Sequence, residues 1–149
     1  MAKRRKGAGS KAQAFVLDCS VTMAWFFQDE ANEYAEAVED AFAQAKAVVP
    51  ATWPLEVANT LVMGERRRRS TEAQAATWLS YLRALPVVID DETAVQAWGD
   101  TLRLARAHRL SAYDAAYLEL ALRRGLPLAT LDDRLKAAAA AAGVTQFAP

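Results

Sequence analysis

The chain has 149 residues, 53% of them hydrophobic, with 18 basic and 18 acidic residues for a formal net charge of zero. This length suffices for one compact domain with a single core. The only cysteine, Cys19, excludes an internal disulfide and a multi-cysteine zinc site, which predicts a reducing, cytoplasmic location. Asp18 interrupts the apolar stretch from Ala12 to Phe27, and no later stretch is long enough to span a bilayer, so we expect no membrane association.

Charge is unevenly distributed along the chain. Before the first acid come five basic residues: Lys3, Arg4, Arg5, Lys6 and Lys11. The rest of the chain holds 13 basic against 18 acidic residues, which is a formal charge of −5. We predict a basic flexible tail over residues 1–13 and one domain over residues 14–149. The tail either contacts phosphates through counterion release or only aids solubility.

Short apolar runs alternate with segments of helical periodicity. The first run, Ala14 to Leu17, predicts a buried strand that delivers Asp18 to its end. The later predicted elements, in chain order, are a helix over Ala31 to Ala47, a strand over Ala47 to Val49, a helix from Pro54 to about Arg69, a helix capped by Ser70 or Thr71, a strand over Val87 to Ile89, a helix from Asp90 or Asp91 to about His108, a helix from Ser111 to Gly125, a strand over Leu126 to Thr130, a helix from Asp132 to about Gly143, and a last short strand over Val144 to Phe147. This alternation predicts an α/β fold with a mostly parallel sheet of four to five strands and helices on both faces.

Four acids fall where parallel strands end or where the following helices begin: Asp18, Glu56, Asp114 and Asp132. In open sheets of this class, ligands bind outside the carboxyl ends of the strands, so the four side chains are expected at one edge. Clustered carboxylates raise one another's pKa unless a cation lies among them. Mg²⁺ or Mn²⁺, which prefer oxygen ligands, would activate water for phosphodiester hydrolysis. Singly, an acid in the first turn of a helix is also explained by the helix dipole.

The sequence lacks the residues that other catalytic mechanisms require. The single histidine, His108, excludes a paired-histidine mechanism and is explained by its place near a helix end. Cys19 has no base nearby in the sequence and is interpreted as a small buried hydrophobe. The only Gly-x-Gly lies in the tail, and no phosphate-binding P-loop is present. A haloacid-type phosphatase needs a second aspartate where Ser20 stands.

Four segments together resemble the PIN domain, and in particular the VapC toxins: Phe15 to Ser20, Val49 to Asn59, Ser111 to Ala121, and Leu128 to Asp132. The resemblance covers about Ala14 to Phe147. It implies a Rossmann-like three-layer PIN fold and an Mg²⁺- or Mn²⁺-dependent endoribonuclease, the toxin of a type II toxin–antitoxin system, that cuts tRNA or rRNA. It also implies a VapB-like antitoxin partner and a homodimer.

Carried over residue by residue, the resemblance implies that Asp18, Asp114 and Asp132 bind the metal and that Glu56 helps to orient or activate water. Asp132 and Asp133 are neighbours whose side chains point about 100° apart on a helix, so only one faces the site, and we favour Asp132.

Further residues are candidates for supporting roles. Ser20 and Thr130 are candidate hydroxyl partners of the acids or of metal-bound water, although both also serve as turn and cap residues. Glu119 is expected beside the site rather than in it. The run Arg66, Arg67, Arg68 and Arg69 is either a solvated helix end or a set of phosphate contacts.

Aromatic residues are dense after the first two strands, at Trp25, Phe26, Phe27 and Trp53. Core packing explains them, and an exposed patch would instead provide a groove for an apolar helix of a partner. The alternative to a nuclease is a catalytically silent PIN-like module that binds RNA or metal.

Overall fold

The structure is a computed structural model that describes residues 13–149. Four strands form one parallel sheet: β1 (Gln13–Leu17), β2 (Ala45–Val49), β3 (Val87–Ile89) and β4 (Leu128–Ala129). Their spatial order is β3-β2-β1-β4. The chain therefore extends the sheet in one direction from β1 to β3 and then returns to place β4 on the other side of β1. The crevice between β1 and β4 is the topological switch point of the sheet.

Helices connect the strands and pack in two groups. They are α1 (Cys19–Phe26), α2 (Glu33–Asp40), α3 (Trp53–Arg66), α4 (Glu72–Ala84), α5 (Thr93–Gln96), α6 (Leu102–His108), α7 (Ala112–Arg124) and α8 (Asp133–Ala141). Helix α1 packs against α2 and α3, whereas α7 packs against α6, α8 and the strands β1 and β4. The predicted α/β class with a parallel sheet between helices is confirmed.

Local sequence signals set several helix ends as predicted. Thr71 caps α4 in a capping box, because its hydroxyl accepts from the Gln74 amide and the Gln74 side chain accepts from the Thr71 amide. The Ser111 hydroxyl accepts from the Asp114 amide at the start of α7, and Gly125 ends that helix with a φ of 62°. The Ser111 cap fixes the first turn of α7, on which Asp114 lies.

The core lies on both sides of β1. Phe15, Val16 and Leu17 are fully buried, and the Phe15 ring stacks on Phe147 with centroids 4.1 Å apart. Tyr117 of α7 is also fully buried. Helix α7 is thus fixed against the sheet by its own middle turns.

Three predicted segments differ from the structure. Helix α1 was not predicted, because its eight residues are apolar on nearly every side and show no helical periodicity. The helix predicted over 31–47 ends at Asp40 and gives way to a 3₁₀ turn before β2. The helix predicted over 90–108 is divided by a π-helical turn, Ala97–Thr101, in which Gly99 has non-helical torsion angles.

The two chain ends also differ from the predictions. Only one residue of the predicted last strand, Gln146, bridges to Leu128, so the described sheet has four strands. Strand β1 begins at Gln13. Residues 1–12, which hold nearly all of the predicted tail, lie outside the described residues. Between residues 13 and 149, no helix is long and apolar enough to cross a membrane.

Candidate active site

The candidate site lies at the switch point, where β1 and β4 end side by side. The Asp18 amide donates to the Ala129 carbonyl at 2.9 Å, which places the residue after β1 next to the end of β4. Thr130 and Asp132 follow β4 directly. Two strand ends thus bring Asp18 and Asp132 to one edge of the sheet.

Asp18 is the most enclosed acid of the site, with only 4% of its surface exposed. Its Oδ2 accepts hydrogen bonds from the Ser20 hydroxyl at 2.5 Å and the Thr130 hydroxyl at 2.7 Å. Burial raises the pKa of Asp18, and these two hydroxyl donors act against that rise. Ser20 and Thr130, which were candidates from sequence, both contact this carboxylate.

Ser20 and Thr130 also connect Asp18 to the following loop. The Leu131 amide donates to the Ser20 hydroxyl at 3.0 Å, and the Asp132 amide donates to the Thr130 hydroxyl at 3.0 Å. The position of Asp18 is therefore coupled to that of Asp132 through one hydroxyl and one amide.

Glu56 lies in the first turn of α3, two residues after Pro54. Its Oε1 accepts from the Tyr117 hydroxyl at 3.2 Å and from the Thr52 hydroxyl at 3.4 Å. Burial raises the pKa of Glu56 to about 7. The Tyr117 hydrogen bond acts against this rise, and the charges of Asp18 and Asp114 add to it. A carboxyl group with this pKa can both accept and release a proton near neutral pH.

Tyr117 was not predicted as a site residue. It lies three residues after Asp114, so both face the same side of α7, and this spacing was the signal available in the sequence.

Asp114 lies in the first turn of α7, and Asp132 is the N-cap residue of the neighbouring helix α8. Asp114 is half-buried, and burial raises its pKa, with a further rise from the charge of Asp132. Asp132 caps α8, since its Oδ1 accepts from the Leu135 amide at 2.8 Å. Both acids also raise the pKa of Asp18. All four acids named from the sequence therefore interact electrostatically in one place.

Asp133 and Glu119 have different surroundings from the four acids. Asp133 is exposed in the first turn of α8. Glu119 is buried in an ion-pair network around Arg123, which contacts Glu119 at 2.7 Å and Asp90 at 2.6 Å. Glu92 completes that network at 2.8 Å. Arg123 therefore ties α7 to the residue after β3, and Glu119 holds Arg123 from within α7.

The four arginines at the end of α3 lie away from the acids along the helix. Arg66 is ten residues after Glu56, which corresponds to about 15 Å of helix. Arg69 pairs with Asp29 at 3.0 Å and lies over the Phe27 ring at 4.0 Å. Phosphate contact by Arg66, Arg67 and Arg68 stays a prediction.

The aromatic residues after β1 and β2 belong mostly to the core, as the sequence predicted. Phe27 and Trp53 are buried, and the Trp25 indole donates to the Ala35 carbonyl at 2.7 Å. A separate apolar groove of about 590 Å³ runs between α3, α4 and β3. Its floor and walls include Trp53, Val57, Leu61, Leu79 and Ile89. This groove begins on the helical turn that carries Glu56.

The donor set of the site suits a hard cation. Within residues 13–149, one oxygen each of Asp18, Glu56 and Asp132 accepts the hydrogen bonds described above, and the second oxygen accepts none. No three His, Cys, Asp or Glu side chains of this part of the chain converge closely enough to hold an ion unaided. That arrangement fits Mg²⁺, which is usually held by one or two carboxylates, with waters and substrate phosphates completing its shell.

A parallel sheet with acids gathered at its switch point defines a small α/β protein with a carboxylate site. The family model described as PIN domain matches residues 15–141, and the chain belongs to the PIN-domain family. Among curated proteins, Ribonuclease VapC3 from Pyrobaculum aerophilum is 31% identical over 120 residues, which cover 80% of this chain and 90% of that protein. The chain is thus a PIN-domain protein of the VapC family.

One solved structure shares the fold. The crystal structure of PAE2754 from Pyrobaculum aerophilum superposes with a TM-score of 0.60 and covers 87% of each chain at 22% sequence identity. At this identity the likeness bears on the fold alone.

Proposed function

We propose that this protein is a metal-dependent endoribonuclease and the toxin of a type II toxin–antitoxin system, acting in the cytoplasm. The observation that carries the proposal is the mutual electrostatic influence of Asp18, Glu56, Asp114 and Asp132 at the switch point. Family membership and the relative named as a ribonuclease agree with it. The expected substrates are tRNA or rRNA.

Each acid has a distinct part in the proposed reaction. Asp18, Asp114 and Asp132 would hold Mg²⁺ or Mn²⁺, which supplies charge neutralisation at the scissile phosphate and a more acidic water. Glu56 would orient the attacking water and accept its proton, because its pKa of about 7 suits proton transfer near neutral pH. Tyr117 and Thr52 hold Oε1 of Glu56 and so leave Oε2 for the water.

The apolar groove supports an antitoxin partner. Its exposed rim includes Val62 and Ile89, which are 40% and 52% exposed, and an amphipathic helix of the antitoxin would cover them. Because the groove begins at the Glu56 turn of α3, a helix bound there would lie next to the acids. We propose that a VapB-like antitoxin inhibits the enzyme from this groove.

A second exposed apolar surface supports the proposed homodimer. Trp98 of the π-helical turn is 93% exposed, and Val95 of the adjoining α5 is 75% exposed. Large apolar side chains exposed to this degree commonly mark protein contacts. Sedimentation of the wild type and of Trp98→Ser tests this surface, and an unchanged dimer in the variant would remove Trp98 from the interface.

The decisive experiment for activity is cleavage of total RNA by the purified protein with Mg²⁺ or Mn²⁺. Asp18→Asn removes a central acid, and Asp91→Asn, a matched change at an exposed aspartate, is the control. We expect discrete fragments from the wild type and the control, and none with Asp18→Asn or EDTA. Cleavage that survives both would refute the carboxylate–metal mechanism. An inert but folded wild-type protein that binds RNA would indicate the silent interaction module instead.

A further inference from the structure

A cationic cleft lies between the end of α6 and one face of α8. It has a volume of about 460 Å³ and is lined by His108, Arg109, Arg134, Ala137, Ala138 and Ala141. The two guanidinium groups are charged at every physiological pH, and the imidazole adds a hydrogen-bond donor. Three donor side chains thus face one small opening.

The wall of the cleft on α8 has a regular pattern. Arg134 and the three lining alanines are spaced i, i+3, i+4 and i+7, so they lie on one face of the helix. Alanine is the smallest side chain with a Cβ, and three of them in a row leave space beside Arg134. An anion can therefore approach the guanidinium group along this face.

Both arginines of the cleft are close in sequence to residues of the acidic site. Arg109 comes two residues before Ser111, whose hydroxyl caps the turn that carries Asp114. Arg134 comes two residues after Asp132. Two residues of chain extend at most about 7.2 Å, so the Cα of Arg134 lies near that of Asp132, and the Cα of Arg109 lies near that of Ser111, the residue that caps the Asp114 turn.

The charges of this cleft are not neutralised within the protein. Within residues 13–149, neither Arg109 nor Arg134 forms a salt bridge, in contrast to Arg69, Arg103 and Arg123. Residues 1–12 contain no Asp or Glu. Within the described residues, these two guanidinium groups therefore have no carboxylate partner.

The backbone at Arg109 is also unusual. This residue ends α6 in the left-handed conformation, with φ 54° and ψ 42°. Glycine is favoured there, because a Cβ is crowded in this conformation. Gly125 occupies the equivalent position at the end of α7.

We propose that this cleft binds a backbone phosphate of the RNA strand next to the phosphate that is cut, with Arg109 and Arg134 as the charged contacts and His108 as an added donor. The inference rests on the proposed function and names a subsite of the same reaction. A cluster of four acids repels a polyanion, so binding requires cations beside it. Guanidinium groups match phosphate oxygens in bidentate geometry, which suits this position.

The test is the salt dependence of RNA binding. A fluorescein-labelled 12-nucleotide RNA of mixed sequence is titrated with full-length protein in EDTA, which prevents cleavage, over 50 to 300 mM KCl. For single strands, each phosphate contact contributes about −0.7 to the slope of log K against log salt, so Arg109→Ala with Arg134→Ala should reduce the slope by about 1.4. Extrapolated from 1 M salt, this difference in slope corresponds to an affinity about 25-fold lower at 0.1 M salt.

Two matched variants make the result specific. Arg103→Ala with Arg124→Ala removes the same charge from exposed positions outside the cleft and should keep the wild-type slope to within about 0.3. Arg109→Lys with Arg134→Lys keeps the charges and should retain most of the slope. Circular dichroism melting of each variant confirms that it is folded.

Each remaining outcome decides against the cleft. It is excluded by an unchanged slope in the Arg109 and Arg134 alanine pair, by equal reductions in both alanine pairs, or by no RNA binding of the wild type. Failure of the proposed function would appear in a separate experiment, as unaffected RNA cleavage by Asp18→Asn. The salt dependence of RNA binding would still show whether the cleft contacts phosphate.

Discussion

Replacement of Thr130 by valine tests how Asp18 is held. Valine keeps the shape of threonine but removes the hydroxyl that donates to Asp18 at 2.7 Å and accepts from the Asp132 amide at 3.0 Å. A hydrogen bond to a charged group contributes about 1.5–3 kcal/mol, and an amide left without its acceptor costs about 1 kcal/mol or more. We therefore expect Thr130→Val to lower the free energy of unfolding by about 3 kcal/mol.

The assay is thermal unfolding in EDTA followed by circular dichroism, together with RNA cleavage in Mn²⁺. For a domain of this size, about 3 kcal/mol corresponds to a fall in Tm of roughly 6–12 °C. Cleavage should fall about 10- to 100-fold, as is typical when a group that orients a metal ligand is lost. Thr77→Val, the same change at an exposed helix position, is the control. A Thr130→Val protein that melts within 2 °C of the wild type and cleaves at its rate would refute the proposed support of Asp18.

Metal-free protein should lose stability as pH rises from about 4.5 to about 7, because folded Glu56 keeps a proton that the unfolded chain releases over this range. After allowance for solvent screening we expect about 1–2 kcal/mol, seen as a lower Tm at pH 8 than at pH 5 in EDTA, and a flat profile would contradict it. Tyr117→Phe removes a hydrogen bond that lowers the pKa of Glu56, so the acid limb of the cleavage pH profile should move to higher pH. A profile identical to that of the wild type would show that Glu56 is not the titrating group. Arg123→Met leaves the buried carboxylates of Asp90 and Glu119 unpaired, and urea unfolding should show a loss of about 3–5 kcal/mol. A loss below about 1 kcal/mol would mean that these ion pairs contribute little.

The acids could be found from sequence because each follows a strong local signal. Asp18 ends an apolar strand, Ser111 caps the turn that carries Asp114, and Asp132 follows the last strand. Because the strands are parallel, their carboxyl ends meet at one edge of the sheet. The role of Asp132 as a cap also follows from its position before a run of helix formers.

The supporting contacts could not be derived in the same way. The bond from Tyr117 to Glu56 joins residues 61 positions apart, and the network of Arg123 joins α7 to residues more than 30 positions away. Such contacts depend on how helices pack rather than on local periodicity. Helix α1 was missed for a related reason, because a helix buried among other elements has no polar face to reveal its period.

Because Asp132 offers one oxygen to the Leu135 amide, its carboxylate belongs both to the acidic site and to the backbone of the final helix. A cation that draws this carboxylate toward Asp18 would lengthen the bond from the Leu135 amide. The first turn of α8 would then open more often. Amide hydrogen exchange at Leu135 would then report metal occupancy without any RNA present. Hydrogen exchange in α8 would thus report whether a metal ion is bound.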